Sequence, residues 1–117
     1  REAGRRTRPG MSLSEEEIAH ARDLFAGLGA ISVRKMFGGA GFYHRDTIFA
    51  VMLSDGRLML KGKGAFIEVL EAEGCTHWTY TRDHGPSGSM PYWSLPDAAQ
   101  DDPELASDWA RRALEHL

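Results

Sequence analysis

The sequence predicts an α+β fold of two layers, helices over an antiparallel sheet, in the order α-β-β-β-α-β-β-α. Three observations predict it. Apolar residues recur at helical spacing near both ends and once in the middle, whereas the stretches between them alternate or run continuously apolar over short spans. Turn residues separate those stretches, with Asp55-Gly56 the clearest hairpin signal. Finally, 117 residues that are 42% hydrophobic and 26% charged make one domain's worth of chain, without repeats or an internal linker.

The first helix is read over 14–28. Ser14 is placed to cap it, Glu17 completes a capping box, and Leu13 against Ile18 forms a hydrophobic staple. Ile18, Ala21, Phe25 and Leu28 follow one face, and Gly29 is a natural stop. Val33 to Tyr43 then reads as one bulged or bent strand, its Gly38, Gly39 and Gly41 marking a place where another backbone comes close. Thr47 to Leu53 and Arg57 to Lys61 are the next two strands, joined by Asp55-Gly56 in a type I′ turn. Ala65 to Glu73 is the second helix, stopped by Gly74; Thr76 to Thr81 and Ser89 to Leu95 are strands, with a loop over 82–88 between them. Asp102 as N-cap and Pro103 at the first helical position start the last helix, with Leu105, Trp109, Ala113 and Leu117 on its buried face.

The strand from Thr47 to Leu53 is apolar on both sides. Strict alternation sends Ile48, Ala50 and Met52 one way and Phe49, Val51 and Leu53 the other. Two readings follow: helices or long loops cover both faces of the sheet, or one face is left for a partner or a second copy of the chain. The second reading makes a homodimer an expectation.

Charge argues about partners. The formal net charge is −3, yet Arg1, Arg5, Arg6 and Arg8 sit among the first ten residues with Glu2; the remaining ten basic and sixteen acidic residues carry −6. Such a body repels a phosphate backbone, so direct DNA binding by the isolated domain is not expected. Residues 1–11 read as a disordered basic leader ahead of a domain over 12–117, and Met11 before a helix start is a candidate translation start. No apolar stretch is long enough to span a bilayer, no secretory signal is present, and Cys75 is the lone cysteine, which together point to the cytoplasm.

Candidate chemistry is sparse. His20, His44, His77, His84 and His116 lack metal-ligand spacing and read as surface or loop residues; no metal, cofactor or catalytic set is expected. Gly38-Gly39-Ala40-Gly41 lacks the spacing of a phosphate-binding loop. The most suggestive grouping is Arg34, Lys35 and Phe37 with Lys61 and Lys63, a basic and aromatic mixture able to hold single-stranded nucleic acid. Its alternative is Phe37 in the core with the four cations as a solvated rim. Trp78 and Tyr92-Trp93 read as core-edge aromatics or interface anchors.

The run Val33-Arg34-Lys35-Met36-Phe37-Gly38-Gly39-Ala40-Gly41-Phe42-Tyr43, then Phe49-Ala50, Leu58-Met59-Leu60-Lys61 and Met90-Pro91-Tyr92-Trp93-Ser94-Leu95-Pro96, resembles the N-terminal domain of the TfoX/Sxy family, as a single-domain member. The resemblance implies a two-layer α+β fold similar to secretion chaperones. It also implies a regulator of natural competence, a transcriptional co-activator working with the cyclic-AMP receptor protein, and it brings no catalytic or ligand residues. The expectation is therefore a non-enzymatic regulatory or protein-interaction domain whose partner belongs to the transcription machinery. Its candidate interaction residues are Arg34, Lys35, Phe37, Gly38, Gly39, Gly41, Lys61, Lys63, Tyr92 and Trp93. The alternatives are a nucleic-acid-binding module built on the basic patch, and a small ligand-binding protein or enzyme with a pocket at the glycine bend and Tyr92-Trp93.

Overall fold

The structure, a computed structural model, describes residues 15–36, 38–80 and 88–117. The leader over 1–11, the Leu13 and Ser14 cap, Phe37, His84 and the loop over 82–87 lie outside them. Three α-helices, α1 (Glu15–Leu24), α2 (Ala65–Ala72) and α3 (Pro103–Leu114), accompany six strands: β1 (Ser32–Met36), β2 (Gly39–His44), β3 (Thr47–Met52), β4 (Leu58–Lys61), β5 (His77–Tyr80) and β6 (Gly88–Ser94). Short 3-10 turns at Ala26–Leu28 and Asp97–Ala99 flank α1 and α3. The strands form one antiparallel sheet in the order β1-β2-β3-β4-β6-β5.

The α+β class with an antiparallel sheet is as predicted, but there is one strand more. The segment read as a single bent strand is a hairpin, β1 against β2, with Gly38 at positive φ in its turn. The close approach expected of the glycines is real at Gly39, where a Cβ would overlap the Met52 carbonyl oxygen. Glycine there lets β3 lie tight against β2.

The two tight turns also exchange roles. At Asp55-Gly56 only Gly56 has positive φ, and Leu53 and Arg57 close a three-residue loop through Leu53 N–H to Arg57 C=O at 2.8 Å. This is a type I turn followed by a glycine bulge, not the predicted type I′ turn. Both central residues of the β2–β3 turn, Arg45 (φ 52°) and Asp46 (φ 67°), are left-handed, which is the type I′ signature with Asp46 as its one usual residue.

Register explains the core. Val33, Phe42, Ala50, Leu60, Trp93 and His77 form one row across all six strands on the face where the helices pack. Ile18, Ala21 and Leu24 of α1, Phe66 and Leu70 of α2, and Ala106, Trp109, Ala110 and Ala113 of α3 bury against that side. Phe25 anchors it, its ring edge-on to Phe42 and Phe49 at centroid distances of 5.9 and 5.1 Å.

A bulge corrects the strict alternation expected of β3. Tyr43 pairs with Ile48 and Phe42 with Ala50, so Phe49 is the extra residue. Phe49 consequently joins Ala50 and Met52 in the helix-side core, while Ile48 joins Val51 and Leu53 on the opposite face. Each side chain beyond the bulge keeps its expected side relative to Val51.

Two devices close the helical layer. Asp102 caps α3 by accepting from the Glu104 and Leu105 N–H groups, as read from sequence. Ser107, buried on α3, donates to the Leu24 carbonyl at 2.9 Å and accepts from the Gly27 N–H at 3.1 Å. Ser107 thereby satisfies groups that the end of α1 leaves unpaired. A Cβ at Gly27 would stand 2.8 Å from the Ser107 oxygen, so the glycine makes room for the bond.

Candidate interaction surface

The sheet has a second face. All three helices contribute to the core on one side, and the cluster on the other side, Val51, Met59 and Tyr92, is flanked by Ile48, Leu53, Trp78 and Met90. Among the described residues this second cluster contains strand and turn residues alone. One row, Arg34, Gly41, Val51, Met59 and Ser94, crosses five strands; Lys61 opposite Tyr92 belongs to the same face. Its centre is buried, with Met59 fully so, and its flanking apolar side chains are half-buried.

Charge on the sheet is one-sided. The six strands contain Arg34, Lys35 and Lys61 and no Asp or Glu, although acids outnumber bases in the chain. Neighbouring strand residues point to opposite faces. Lys35 therefore turns to the helical side and pairs with Glu15 of α1 at 3.1 Å. Arg34 turns to the other face, its guanidinium 4.8 Å from the centroid of the Tyr43 ring. Gly41, opposite Arg34 in the register, presents no side chain there.

The predicted basic cluster is thus not one patch. Arg34 and Lys61 share the open face, Lys35 is on the helix side, Lys63 is exposed in the link to α2, and Phe37 lies outside the described residues. Tyr92 and Trp93 part in the same way. Tyr92 belongs to the open face, tilted against Trp78 with centroids 6.2 Å apart. Trp93 lies in the helix-side core, stacked on His77 at 4.1 Å and donating its indole N–H to Glu71 at 3.2 Å. Tyr92 and Trp93 therefore do not face the same side of the sheet. His77 is accordingly a half-buried strand residue, not a surface or loop histidine; its Nε2 lies 2.8 Å from the Met90 carbonyl oxygen.

Pro91 fits because β6 is irregular there. His77 pairs with Trp93 and Thr79 with Ser89, leaving surplus β6 residues around Pro91, where no ladder N–H is called for. Its carbonyl still accepts from Gly62 at 3.0 Å, and Gly62 has no room for a Cβ beside the Trp93 ring.

Reactive groups are quiet. Burial, with smaller contributions from Glu73 and Asp97, pushes the Cys75 thiol up to about 11, so the nucleophilic thiolate is scarce near neutrality. Burial, then the neighbouring Tyr43, raises the Tyr92 phenol. No group of three His, Cys, Asp or Glu side chains among the described residues could hold a metal ion. A shallow concavity of about 360 Å³ is lined by Leu28, His44, Arg111, Leu114 and Glu115, away from the open face. No helix among the described residues is long and apolar enough to cross a membrane.

A family model, the TfoX N-terminal domain, matches residues 23–117. The chain belongs to that family. It is also similar to the DNA transformation protein TfoX1 of Aliivibrio fischeri (strain ATCC 700601 / ES114), 30% identical over 76 residues, a match covering 62% of this chain and 36% of the relative. The chain therefore spans about a third of that relative's length. The family match takes in every strand of the sheet, so the open face belongs to the shared domain. Tyr43, Val51, Met59 and Met90 of that face were not among the candidate interaction residues read from sequence, whereas Trp78 was read as a core-edge aromatic or interface anchor. Counting alternate positions outward from Tyr92 reaches Met90; the others lie on strands whose facing is set by pairing with distant residues.

Proposed function

We propose that this TfoX-type N-terminal domain is a non-enzymatic regulator of natural competence that acts on transcription through protein contacts. Membership of the family, with a relative named a DNA transformation protein, carries the reading. The geometry supports contact as the mode of action: the sheet face away from the helices carries two cations, Arg34 and Lys61, beside half-buried apolar side chains. The cytoplasm is the compartment such a role requires.

Direct nucleic-acid recognition is the poorer fit. Arg34 and Lys35 diverge to opposite faces, the Tyr43 ring carries the Arg34 guanidinium, and Tyr92 is buried, so these rings offer little free surface for base stacking. Deleting the gene from its native host is expected to lower the frequency of transformation by added DNA and the transcripts of the uptake genes. Wild-type transformation and transcripts in the deletion strain would exclude the proposal.

A further inference from the structure

We infer that the outer edge of β1 is a docking site for an extended acidic segment of a partner protein, which adds antiparallel to the sheet as a further strand. This rests on the reading that the domain acts through protein contacts, and it names the edge and the partner's chemistry.

Among the described residues the sheet ends in β1 on one side and β5 on the other, each bonded to a single neighbour. The two edges are not equivalent. β5 is four residues long and its register with β6 breaks between His77 and Thr79, and shortness and irregularity are what disable an edge as a template. β1 runs for five residues in unbroken register with β2 and contains no proline. It is the edge fit to receive a strand.

Hydrogen-bond parity identifies the groups on offer. The 2.8 Å bond from the Leu53 N–H to the Arg57 carbonyl marks Leu53, and Val51 two residues back, as the positions that bond toward β4. Ala50 and Met52 then bond toward β2, at Phe42 and Ala40, which leaves the alternate β2 residues Gly39 and Gly41 to bond toward β1. Their partners are Met36 and Arg34. Val33 and Lys35 are therefore left with N–H and C=O groups directed outward, away from the sheet, where an added strand pairs with them.

Charge selects the segment. Arg34, between those two residues, is exposed and has no carboxylate within ion-pair distance among the described residues; Lys35 is exposed too, though it meets Glu15. On an added antiparallel strand the residue opposite Arg34 takes a non-hydrogen-bonded position, where cross-strand side chains come closest, so a carboxylate there meets the guanidinium. Opposite Val33, half-buried beside the helical core, an apolar side chain fits. The same cations turn other strands away. Two copies of β1 paired antiparallel about Arg34 would set Arg34 against Arg34, and like charges directly opposite are destabilising.

The test uses the full chain and short labelled peptides of threonine and valine, one with two central glutamates, the other with lysines in their place. Fluorescence anisotropy is expected to show binding of the glutamate peptide and none of the lysine peptide. Arg34→Glu should weaken the glutamate peptide roughly tenfold and admit the lysine one, whereas Lys61→Glu, on β4, should change neither. Circular dichroism melting checks that each variant is folded. Main-chain pairing has its own signature in the unaltered chain: methylating the backbone nitrogens at one set of alternate peptide residues should abolish binding, and methylating the other set should not. By nuclear magnetic resonance the Val33 and Lys35 amide protons should exchange rapidly in the free chain and slowly with the peptide bound. Absence of binding, equal binding of the two peptides, indifference to which set is methylated, or Val33 and Lys35 amides already protected in the free monomer overturns the inference. So does a dimer in which those amides are protected, which assigns the edge to a second copy, or tighter binding of an oligothymidine through Arg34, which assigns it to nucleic acid. These failures leave the competence reading standing, because the deletion phenotype does not depend on which surface is used.

Discussion

Side chains a single residue apart do opposite work in this domain. Arg34 faces the open sheet and Lys35 the helices; Tyr92 is open-side and Trp93 core. Adjacency in sequence therefore misleads about adjacency in space wherever the chain is extended, and the predicted basic grouping divided for that reason. Cys75 shows how local packing sets chemistry. Its backbone N–H bonds the Leu70 carbonyl at the end of α2, behind Gly74 at φ 89°, and the half-buried thiol that results is pushed up from 9.0 to about 11. The folded chain keeps that proton where the unfolded chain has lost it, so this contribution to stability is present below pH 9 and disappears as pH rises through about 11. Tyr92, also raised, acts in the same direction. Alkaline melts should fall over that window and fall less in Cys75→Ser, and near pH 8 the native thiol should react with an alkylating reagent about 100-fold more slowly than the unfolded one. Equal rates in the two states would show the thiol to be unperturbed.

Elements are where turn chemistry and register decide the outcome. Helix α3 was readable because Asp102 and Pro103 carry local signals, and α2 because Gly74 ends it where a left-handed residue is needed. The β2–β3 turn carried no such signal: Arg45 and Asp46 adopt the left-handed conformation although neither is glycine. The sheet imposes it, since His44 and Thr47 must pair directly, and the strain is of order 1 kcal/mol per residue. Replacing the pair by Asn-Gly should relieve that strain and raise stability by about 1 kcal/mol, or roughly 4–8 °C in Tm, in denaturant and thermal melts. A lowered midpoint would mean that the two side chains contribute more than their backbones lose. The bulge at Phe49 is the complementary lesson. One residue inserted in β3 moves Phe49 to the helical core, and no local preference of Phe or Ile announces it.

At the scale of the molecule, a two-layer architecture puts every described helix on one side and the cationic strand residues Arg34 and Lys61 on the other. Acidic side chains populate the helices and connections, so the body should repel duplex DNA even though the sheet face does not. Protein lacking residues 1–10, with a labelled duplex at low salt, is expected to give no rise in anisotropy. Tight, salt-sensitive binding weakened by Arg34→Ala and Lys35→Ala would contradict both the charge argument and the contact mode. The amino-acid sequence by itself determined the α+β class, the Asp102 cap of α3, the family resemblance and the apolar character of β3, because caps, glycine stops and hydrophobic periods are properties of neighbours along the chain. Only the tertiary structure decided which side of the sheet each strand residue serves, that the glycine run is a hairpin, and that Arg34 and Lys61 share a face without Lys35. Those follow from register, and register is fixed by pairing between residues distant in sequence, where a single bulge reverses the alternation.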